Sequence, residues 1–216
     1  MNVLIDLDGT LTDSRPGIVA SIQHAMRSLG HDAPQEAALL KYIGPPLHAA
    51  FRELLSTNES SDVERAIAAY RERYVDIGMF ENSVYLGIAE SLQLLRERGA
   101  RLFVATAKPE VFARRILERF ELSHYFDAIY GSELDGQRTD KTELIAHVLS
   151  RSQLNRAHTA MIGDRHHDIV GALSNGLAAV GVLWGYGSRE ELSAAGAETL
   201  LDAPNNLGAL AFSNAA

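Results

Sequence analysis

The spacing of hydrophobic residues changes along the chain and divides the sequence into two kinds of region. Between about Ser14 and Gly78, apolar residues recur every three or four positions, as on one face of an α-helix. Val63, Ile67 and Tyr70 illustrate this spacing, and clusters of Gly, Pro, Asn and Ser interrupt it as turns. We expect four helices in this region, near residues 16–29, 35–42, 46–56 and 61–78.

After Asn82, short apolar runs rich in β-branched residues alternate with helical segments. Strands that alternate with helices form a parallel sheet, because each helix carries the chain back to the edge where the next strand begins. The opening run, Val3–Asp6, joins this later sheet because a lone strand cannot bury itself. The expected strands cover residues 3–6, 102–105, 128–130, 159–162 and 179–183, and the expected helices residues 88–98, 109–120, 141–151 and 166–175.

This order of elements predicts an α/β fold with a Rossmann-like parallel sheet core and an inserted α-helical cap. The core would comprise residues 1–14 and 81–216, and the cap residues 15–80. In open parallel sheets ligands bind at the carboxyl ends of the strands. A helical insertion after the first strand is well placed to act as a lid over such a site.

Two aspartates stand at the end of the first predicted strand. Asp6 and Asp8 follow the apolar run directly, and side chains two residues apart on a strand point to the same face. Two unit charges about 4 Å apart repel by roughly 4 kcal/mol at an effective dielectric constant of about 20. A fold tolerates this repulsion only with a compensating cation or a shared proton, so the pair predicts a chemical site.

Further polar residues stand where other predicted strands end or helices begin. A lysine at a helix N-terminus, as at Lys141, is unfavourable by about 0.3–1 kcal/mol, and a bound anion would remove that conflict. Carboxylates gathered at one sheet edge are suited to a hard divalent cation, of which Mg²⁺ is the expected one. The sequence therefore predicts a combined phosphate and metal site. Its candidate residues are Asp6, Asp8, Thr106, Lys108, Lys141, Asp164 and Asp168.

Each candidate has an ordinary structural explanation when it is considered alone. Asp8 could belong to a plain turn, Thr106 could cap the following helix, and Lys108 could be a solvated loop residue. His166 and His167 suggest a metal site, but adjacent residues do not share a helix face, so we interpret them as ordinary polar positions. The joint pattern is much less expected by chance than any single member.

Composition narrows the class of partner. The 216 residues are 46% hydrophobic and carry a formal net charge of −8, so the chain can bury a core but lacks the basic clusters that bind a nucleic acid polymer. No apolar stretch approaches a membrane span, and the absence of cysteine fits the cytoplasm. The first strand begins almost at Met1, so we expect no secretory leader. We expect a cytoplasmic monomer or homodimer whose partner is a small phosphorylated metabolite.

These segments resemble the four motifs of haloacid dehalogenase superfamily phosphatases, in the same order along the chain. Asp6–Ser14 resembles the first motif, Thr106 after an apolar strand the second, Lys141 the third and Gly163–Asp168 the fourth. The helical insertion after the first motif resembles the cap of the phosphoglycolate phosphatase branch. Three further stretches resemble a bacterial group usually described as 5′-nucleotidase-like: Gly44–Leu47, Ser132–Gly136 and Tyr186–Leu192.

The resemblance implies a role for each matching residue. Asp6 would be the nucleophile that forms an aspartyl-phosphate, and Asp8 would protonate the leaving oxygen and then activate water. The Mg²⁺ ligands would be Asp6, the backbone carbonyl of Asp8, Asp164 and, close by, Asp168. The phosphate-binding residues would be Thr106, Ala107, Lys108 and Lys141. Ala107 stands where Asn or Ser is common in the motif, which removes one hydrogen-bonding side chain.

The implied activity is hydrolysis of a small phosphate ester with Mg²⁺ as cofactor. We expect a nucleoside 5′-monophosphate as substrate first and 2-phosphoglycolate second. The candidate cap residues for this choice are Arg15, Lys41, Tyr42 and Arg52. A phosphomutase and a non-catalytic phosphate-responsive module on the same fold stay open as alternatives. A module would accumulate phospho-Asp6, whereas an enzyme that retains Asp8 would clear it.

Overall fold

A computed structural model describes residues 1–210 of the chain. The strands are β1 (Asn2–Ile5), β2 (Thr12–Asp13), β3 (Ser83–Val84), β4 (Arg101–Pro109), β5 (Ala128–Ser132), β6 (Thr159–Gly163), β7 (Ala178–Val182) and β8 (Thr199–Leu201). The helices are α1 (Arg15–Ser28), α2 (Glu36–Leu39), α3 (Leu47–Leu55), α4 (Ser60–Asp76), α5 (Ile88–Glu97), α6 (Glu110–Arg119), α7 (Lys141–Arg151), α8 (His166–Ser174) and α9 (Arg189–Ala194). Short 3₁₀ helices cover Leu40–Tyr42, Gly78–Phe80, Ser123–Tyr125, Arg156–His158 and Pro204–Ala209.

The described residues form two compact units. One contains Met1–Thr12 and the chain from Val84 onward, and the other contains Asp13–Ser83. We call them the α/β unit and the helical unit. The sequence analysis predicts the two junctions after residues 14 and 80, whereas the two units divide after Thr12 and Ser83. A two-stranded sheet of β2 and β3 lies where the chain passes from one unit to the other.

The α/β unit is built on a six-stranded sheet with the order β5-β4-β1-β6-β7-β8. Every neighbouring pair of these strands is parallel, so the predicted α/β fold with a parallel sheet is confirmed. Strand β1 lies between β4 and β6, and Val3, Leu4 and Ile5 are fully buried. Helices cover both faces of such a sheet, which is why its central strands are continuously apolar rather than alternating.

The strand order reverses at β1. From β1 the chain adds β4 and β5 on one side, and then returns to place β6, β7 and β8 on the other. In doubly wound sheets such a reversal leaves a crevice at the carboxyl ends of the central strands, because the flanking connections run to opposite sides. The candidate site residues directly follow β1 and β6, and on β4 they occupy the last residues of the strand.

The helical unit packs around aromatic residues. Helix α1 packs against α4 and against the 3₁₀ helix Gly78–Phe80. A Cβ atom on Gly17 would lie 1.8 Å from the carbonyl oxygen of Gly78, so only glycine lets α1 approach that 3₁₀ helix so closely. The rings of Tyr70 and Tyr74 stack with their centroids 5.1 Å apart, and Phe51 meets Tyr70 edge-on. All three side chains are buried, so they form part of the core of this unit.

Several elements differ from the sequence-based expectations. Strand β4 continues to Pro109 instead of ending at Ala105, with a register shift between the two residues where it pairs with β5. Helix α9 and strand β8 were not expected, because six and three residues are too few for a hydrophobic period to be visible. The boundaries of α7 agree with the prediction.

Within residues 1–210, none of the helices combines the length and the apolar character needed to cross a lipid bilayer.

Candidate active site

Three buried carboxylates from distant parts of the sequence meet at the carboxyl edge of the sheet. Asp6 follows β1, Asp164 follows β6, and Asp168 lies in the first turn of α8. One oxygen from each carboxylate lies within 4.8 Å of one oxygen from each of the others. Such a group of oxygen donors is suited to a hard divalent cation.

Lys141 lies beside these carboxylates at the start of α7. The side chain of Asp140 caps this helix by accepting a hydrogen bond from the backbone N–H of Glu143 at 3.0 Å. The Nζ atom of Lys141 is 2.8 Å from Oδ1 of Asp6 and 2.6 Å from Oδ1 of Asp168. It also donates a hydrogen bond to the carbonyl oxygen of Ala105 at 2.8 Å.

The crowding of charges shifts the pKa values of these groups. Burial raises the pKa of Asp164 well above its ordinary value, and the neighbouring carboxylates of Asp168 and Asp6 raise it further. Burial also raises the pKa of Asp168, to about 6, although Lys141 acts in the opposite direction. For Lys141, burial disfavours the ammonium form, but Asp168 and Asp6 outweigh it and raise the pKa. The site therefore favours added positive charge.

Asp8 and Lys108 form a second buried pair. The Nζ atom of Lys108 is 2.8 Å from Oδ2 of Asp8, and the two side chains are 6% and 10% exposed. The other oxygen of Asp8, Oδ1, is buried and has no hydrogen-bond partner among residues 1–210. A buried carboxylate oxygen without a partner is unfavourable, so Asp8 has an acceptor available for a ligand.

Thr106 and Ala107 lie on the β4 side of the site. Thr106 is buried, and its Oγ1 atom accepts a hydrogen bond from the backbone N–H of Lys108 at 3.3 Å. Thr106 does not cap α6, because the N-cap residue of that helix is Pro109. The carbonyl oxygen of Ala107 accepts a hydrogen bond from the Ser132 hydroxyl at 2.7 Å.

Asp164 is held by the turn that follows Asp8. The hydroxyl group of Thr10 donates to Oδ1 of Asp164 at 3.2 Å. Gly9 has a φ angle of +84°, and a Cβ atom on it would lie 2.2 Å from Oδ2 of Asp164. Only glycine fits this position, because a side chain would displace the carboxylate and would also strain the backbone. The Gly9 of the first motif therefore lets the β1 and β6 loops approach each other.

The balance of buried charge in this unit is negative. Four carboxylates face two ammonium groups, so the set has a formal excess of two negative charges when every group is ionised. These buried charged side chains, among the residues that the structure describes, are Asp6, Asp8, Asp164, Asp168, Lys108 and Lys141.

Comparison with known families decides the classification. The sequence profile of the haloacid dehalogenase-like hydrolases matches residues 3–182. The chain belongs to this family. The predicted membership is thus confirmed, and the matched region includes Asp6, Asp164 and Asp168.

Similar proteins within and near this hydrolase family carry several names. A 5′-nucleotidase of Pseudomonas aeruginosa is 51% identical over 89% of this chain and 87% of its own length. The tyrosine-protein kinase PtkA of Mycobacterium tuberculosis is 43% identical over 86% of this chain and 62% of its own length. A plasmid-encoded phosphoglycolate phosphatase of Cupriavidus necator is 30% identical over 96% of this chain and 91% of its own length.

A solved structure agrees with this classification. A crystal structure described as a predicted phosphatase from Clostridium acetobutylicum has a TM-score of 0.92 and 42% identity, and covers 96% of each chain. Together with the family match, these relatives confirm the enzyme class expected from the sequence, a phosphatase of the haloacid dehalogenase-like family.

The candidate cap residues of this haloacid dehalogenase-like hydrolase lie in the helical unit. Arg15 is the first residue of α1. Its Nη2 atom is 3.1 Å from Oδ2 of Asp13, and its Nε atom is 3.6 Å from Oε1 of Glu36. Lys41 pairs with Glu53, and its Nζ atom lies 4.9 Å from the centroid of the Tyr42 ring. Tyr42 is buried, whereas Arg52 is exposed on α3.

The adjacent histidines do not join the carboxylate cluster. Nδ1 of His166 is 2.8 Å from Oε1 of Glu191, and the rings of His166 and His167 lie 3.8 Å apart. Burial lowers the pKa of His167, and the neighbouring positive charges of His166 and Arg165 lower it further.

Three residues that touch this site were given no individual role from the sequence. Thr10 lies within the first motif, and Tyr186 donates its backbone N–H to Oδ2 of Asp164 at 2.8 Å. Glu191 contacts the residues that follow Asp164. The pattern Ser188-x-x-Glu191 is a helix-start signature that could have located α9, but only the fold reveals which loop it meets.

Proposed function

We propose that this phosphatase is a Mg²⁺-dependent phosphomonoester hydrolase that works through an aspartyl-phosphate on Asp6. The observation that supports this proposal is the group formed by Asp6, Asp164 and Asp168, with Lys141 in contact with two of its members. A nucleophilic carboxylate, a cation site and a neighbouring ammonium group are the parts that phosphoryl transfer requires.

The donor set fits Mg²⁺. Its atoms are carboxylate oxygens, and the formal excess of two negative charges in the buried set equals the charge of one such ion. The residues that would hold the ion are Asp6, Asp164, Asp168 and the backbone carbonyl of Asp8. When it is bound, Mg²⁺ neutralises charge on the phosphoryl oxygens and reduces their repulsion from the attacking carboxylate.

In the first step, a carboxylate oxygen of Asp6 attacks the phosphorus atom of the ester. The bond between phosphorus and the ester oxygen breaks, and the carboxyl group of Asp8 gives its proton to the leaving alcohol. Lys141 stabilises the charge on the transferring group, because a fixed buried ammonium needs no rearrangement during the reaction. The products of this step are the free alcohol and phospho-Asp6.

In the second step, the ionised carboxylate of Asp8 takes a proton from water. The oxygen of that water attacks the phosphorus atom of phospho-Asp6, and the bond between phosphorus and the Asp6 oxygen breaks. Inorganic phosphate leaves, Asp6 is again a carboxylate and Asp8 again carries a proton. The acid of the first step thus becomes the base of the second.

Lys108 has a part in this cycle. Its ammonium nitrogen lies 2.8 Å from Oδ2 of Asp8, so the two side chains are in direct contact. We propose that Lys108 turns toward the phosphoryl group when substrate binds, which leaves Asp8 able to carry the proton that it donates. The backbone around Thr106 and Ala107 lies beside Lys108 and would complete the phosphate site.

The first substrate that we propose is a nucleoside 5′-monophosphate, which the name of the Pseudomonas aeruginosa relative supports. A second candidate, 2-phosphoglycolate, is supported by the name of the Cupriavidus necator relative. This chain spans 62% of the mycobacterial kinase, so the name of that protein does not decide the activity here. The roles of the helical unit as a cap, and of Arg15, Lys41, Tyr42 and Arg52 in selecting substrate, are part of this proposal.

The decisive experiment measures phosphate release from an aryl phosphate with Mg²⁺ and with a chelator. We expect turnover only with Mg²⁺, and we expect Asp6→Asn to lower it by about 10³-fold or more, as loss of a nucleophile does in other enzymes. Asp202→Asn is the matched control, because Asp202 is 77% exposed and pairs with Arg189 at the surface.

The same preparation separates the remaining alternatives. Specificity constants for nucleoside 5′-monophosphates, sugar phosphates and 2-phosphoglycolate identify the preferred substrate. A non-catalytic module would accumulate a stable phospho-Asp6, and a phosphomutase would return the phosphoryl group to its organic substrate instead of releasing phosphate. Turnover that persists in chelator or in Asp6→Asn would refute the mechanism.

A further inference from the structure

The segment after β7, residues 184–191, lies against the loop that carries Asp164. The indole N–H of Trp184 donates to the carbonyl oxygen of Thr10 at 3.0 Å, and the backbone N–H of Tyr186 donates to Oδ2 of Asp164 at 2.8 Å. Thr10 in turn donates to Oδ1 of the same carboxylate. Both oxygens of Asp164 therefore receive hydrogen bonds from residues outside their own loop.

The backbones of the two segments meet without intervening side chains. A Cβ atom on Gly187 would lie 2.0 Å from the carbonyl oxygen of Asp164, and one on Gly185 would lie 2.3 Å from its Cβ atom. These distances are far below van der Waals contact, so the position of the Asp164 loop depends on the path of the 184–191 segment. The proposed reaction assigns no role to this segment.

Glu191 contacts three nitrogen atoms of the loop through one carboxylate oxygen. Its Oε1 atom accepts hydrogen bonds from Nε of Arg165 at 2.9 Å and from the backbone N–H of His166 at 3.0 Å, and lies 2.8 Å from Nδ1 of His166. Burial acts to raise the pKa of Glu191, but these hydrogen bonds outweigh it and lower the value to about 2. Glu191 is therefore a carboxylate at neutral pH.

Arg165, which binds Glu191, lies between Asp164 and Asp168 in the sequence. Arg165 follows Asp164 directly, and its backbone N–H donates to Oδ2 of Asp168 at 3.2 Å. Its side chain is fixed by Glu191 and its backbone by Asp168. A shift of Arg165 would therefore move Asp164 and Asp168 relative to each other. Groups that orient metal ligands in this way typically change metal affinity by about 10- to 100-fold.

We propose that Glu191 is a positioning residue that holds the loop after β6 so that Asp164 and Asp168 present their carboxylates at the spacing a divalent cation requires. This inference rests on the proposed Mg²⁺ dependence. Glu191 touches neither the substrate nor the reacting atoms, so its effect is on cation affinity and not on the chemical step.

The test compares Glu191→Ala with Glu190→Ala. Both residues lie in the first turn of α9, so the two substitutions remove the same charge from the same helix start, but Glu190 is exposed. Affinity for Mg²⁺ without substrate is measured by calorimetry, and turnover of an aryl phosphate is measured across a Mg²⁺ titration. We expect Glu191→Ala to weaken Mg²⁺ binding by about 10- to 100-fold, and Glu190→Ala to leave it unchanged.

Saturating Mg²⁺ should restore kcat of Glu191→Ala to within about twofold of wild type, with KM for the aryl phosphate unchanged. Equal Mg²⁺ affinities in the two variants would overturn the inference, as would a fall in kcat that saturating Mg²⁺ does not restore. If Glu191→Ala does not fold by circular dichroism, Glu191→Gln is measured with the same criteria. A wild type that needs Mg²⁺ alongside a Glu191→Ala variant of normal affinity refutes this inference alone, whereas a wild type that binds no Mg²⁺ refutes the proposed function as well.

Discussion

The three lysines of this chain occupy opposite kinds of environment in the two units. Lys41, in the helical unit, pairs with Glu53, and both side chains are 59% exposed. Lys108 and Lys141, in the α/β unit, are each 6% exposed and pair with carboxylates that are themselves buried. The same type of ion pair is thus found at the surface of one unit and in the interior of the other.

This difference in burial means that the two kinds of ion pair contribute differently to stability. An exposed pair gains little, because water screens both charges and two flexible side chains must be ordered. A buried pair loses much more solvation, so apolar residues of similar size would often stabilise the fold as well or better. Lys108 and Lys141 are therefore difficult to explain by stability, and a shared anionic ligand is the simplest reason for their burial.

The largest expected effect is that of removing Lys141. The variant Lys141→Met leaves the carboxylates of Asp6 and Asp168 in the interior without their neighbouring positive charge. Breaking a buried ion pair in this way typically costs about 3 to 5 kcal/mol, so we expect a fall of that size in the free energy of unfolding in chelator, measured by urea denaturation. Mg²⁺ should recover part of the loss because it supplies positive charge to the same carboxylates. A loss no larger than that of Lys41→Met would remove the contrast between the units.

The next expected effect is a change in the free energy of unfolding with pH, which arises in the α/β unit. Because the pKa of Asp168 is raised to about 6, its contribution to stability is complete below the unfolded value and is lost as the pH rises through 6. In chelator we therefore expect the protein to lose up to about 3 kcal/mol between pH 4 and pH 7 from this group. Mg²⁺ binds the ionised form, so its stabilising effect should be larger at pH 7.5 than at pH 5.

Unfolding temperatures with and without Mg²⁺ at the two pH values measure this difference directly. In Asp168→Asn the loss of stability with rising pH should be smaller, because the titrating carboxyl is absent. Equal stabilisation by Mg²⁺ at pH 5 and pH 7.5 would contradict the prediction, since it would mean that the carboxylates do not lose protons when the ion binds.

The sequence predicts the α/β unit well because its signals are local. Asp6 and Asp8 follow a buried strand of only a few residues, and strands that alternate with helices determine a parallel sheet. Parallel order then brings Asp164 to the same edge as Asp6 without any knowledge of side-chain contacts. For this reason the cluster of carboxylates could be expected from spacing and strand order alone.

The pairing of individual lysines with individual carboxylates could not be predicted from spacing and strand order. Nothing in the sequence states that Lys108 pairs with Asp8 while Lys141 pairs with Asp6 and Asp168, because both lysines stand at junctions of the same kind. Glu191 is a stronger case, since its meeting with Arg165 depends on the path of the chain after β7. Contacts of this kind depend on tertiary packing, and a propensity or a period carries no information about them.

The smallest expected effect is that of Lys41→Met, which tests the other side of the comparison. Because Lys41 and Glu53 are solvent-exposed, loss of their ion pair should leave the urea midpoint unchanged within error. Turnover of an aryl phosphate should also be unchanged, since such a substrate lacks the ribose and the base that a nucleotide-selecting residue would contact. A change confined to KM for a nucleoside 5′-monophosphate would assign Lys41 to substrate selection. A midpoint shift as large as that of Lys141→Met would instead show that exposure does not separate the two units, and the argument from buried lysines to a phosphate site would lose its basis.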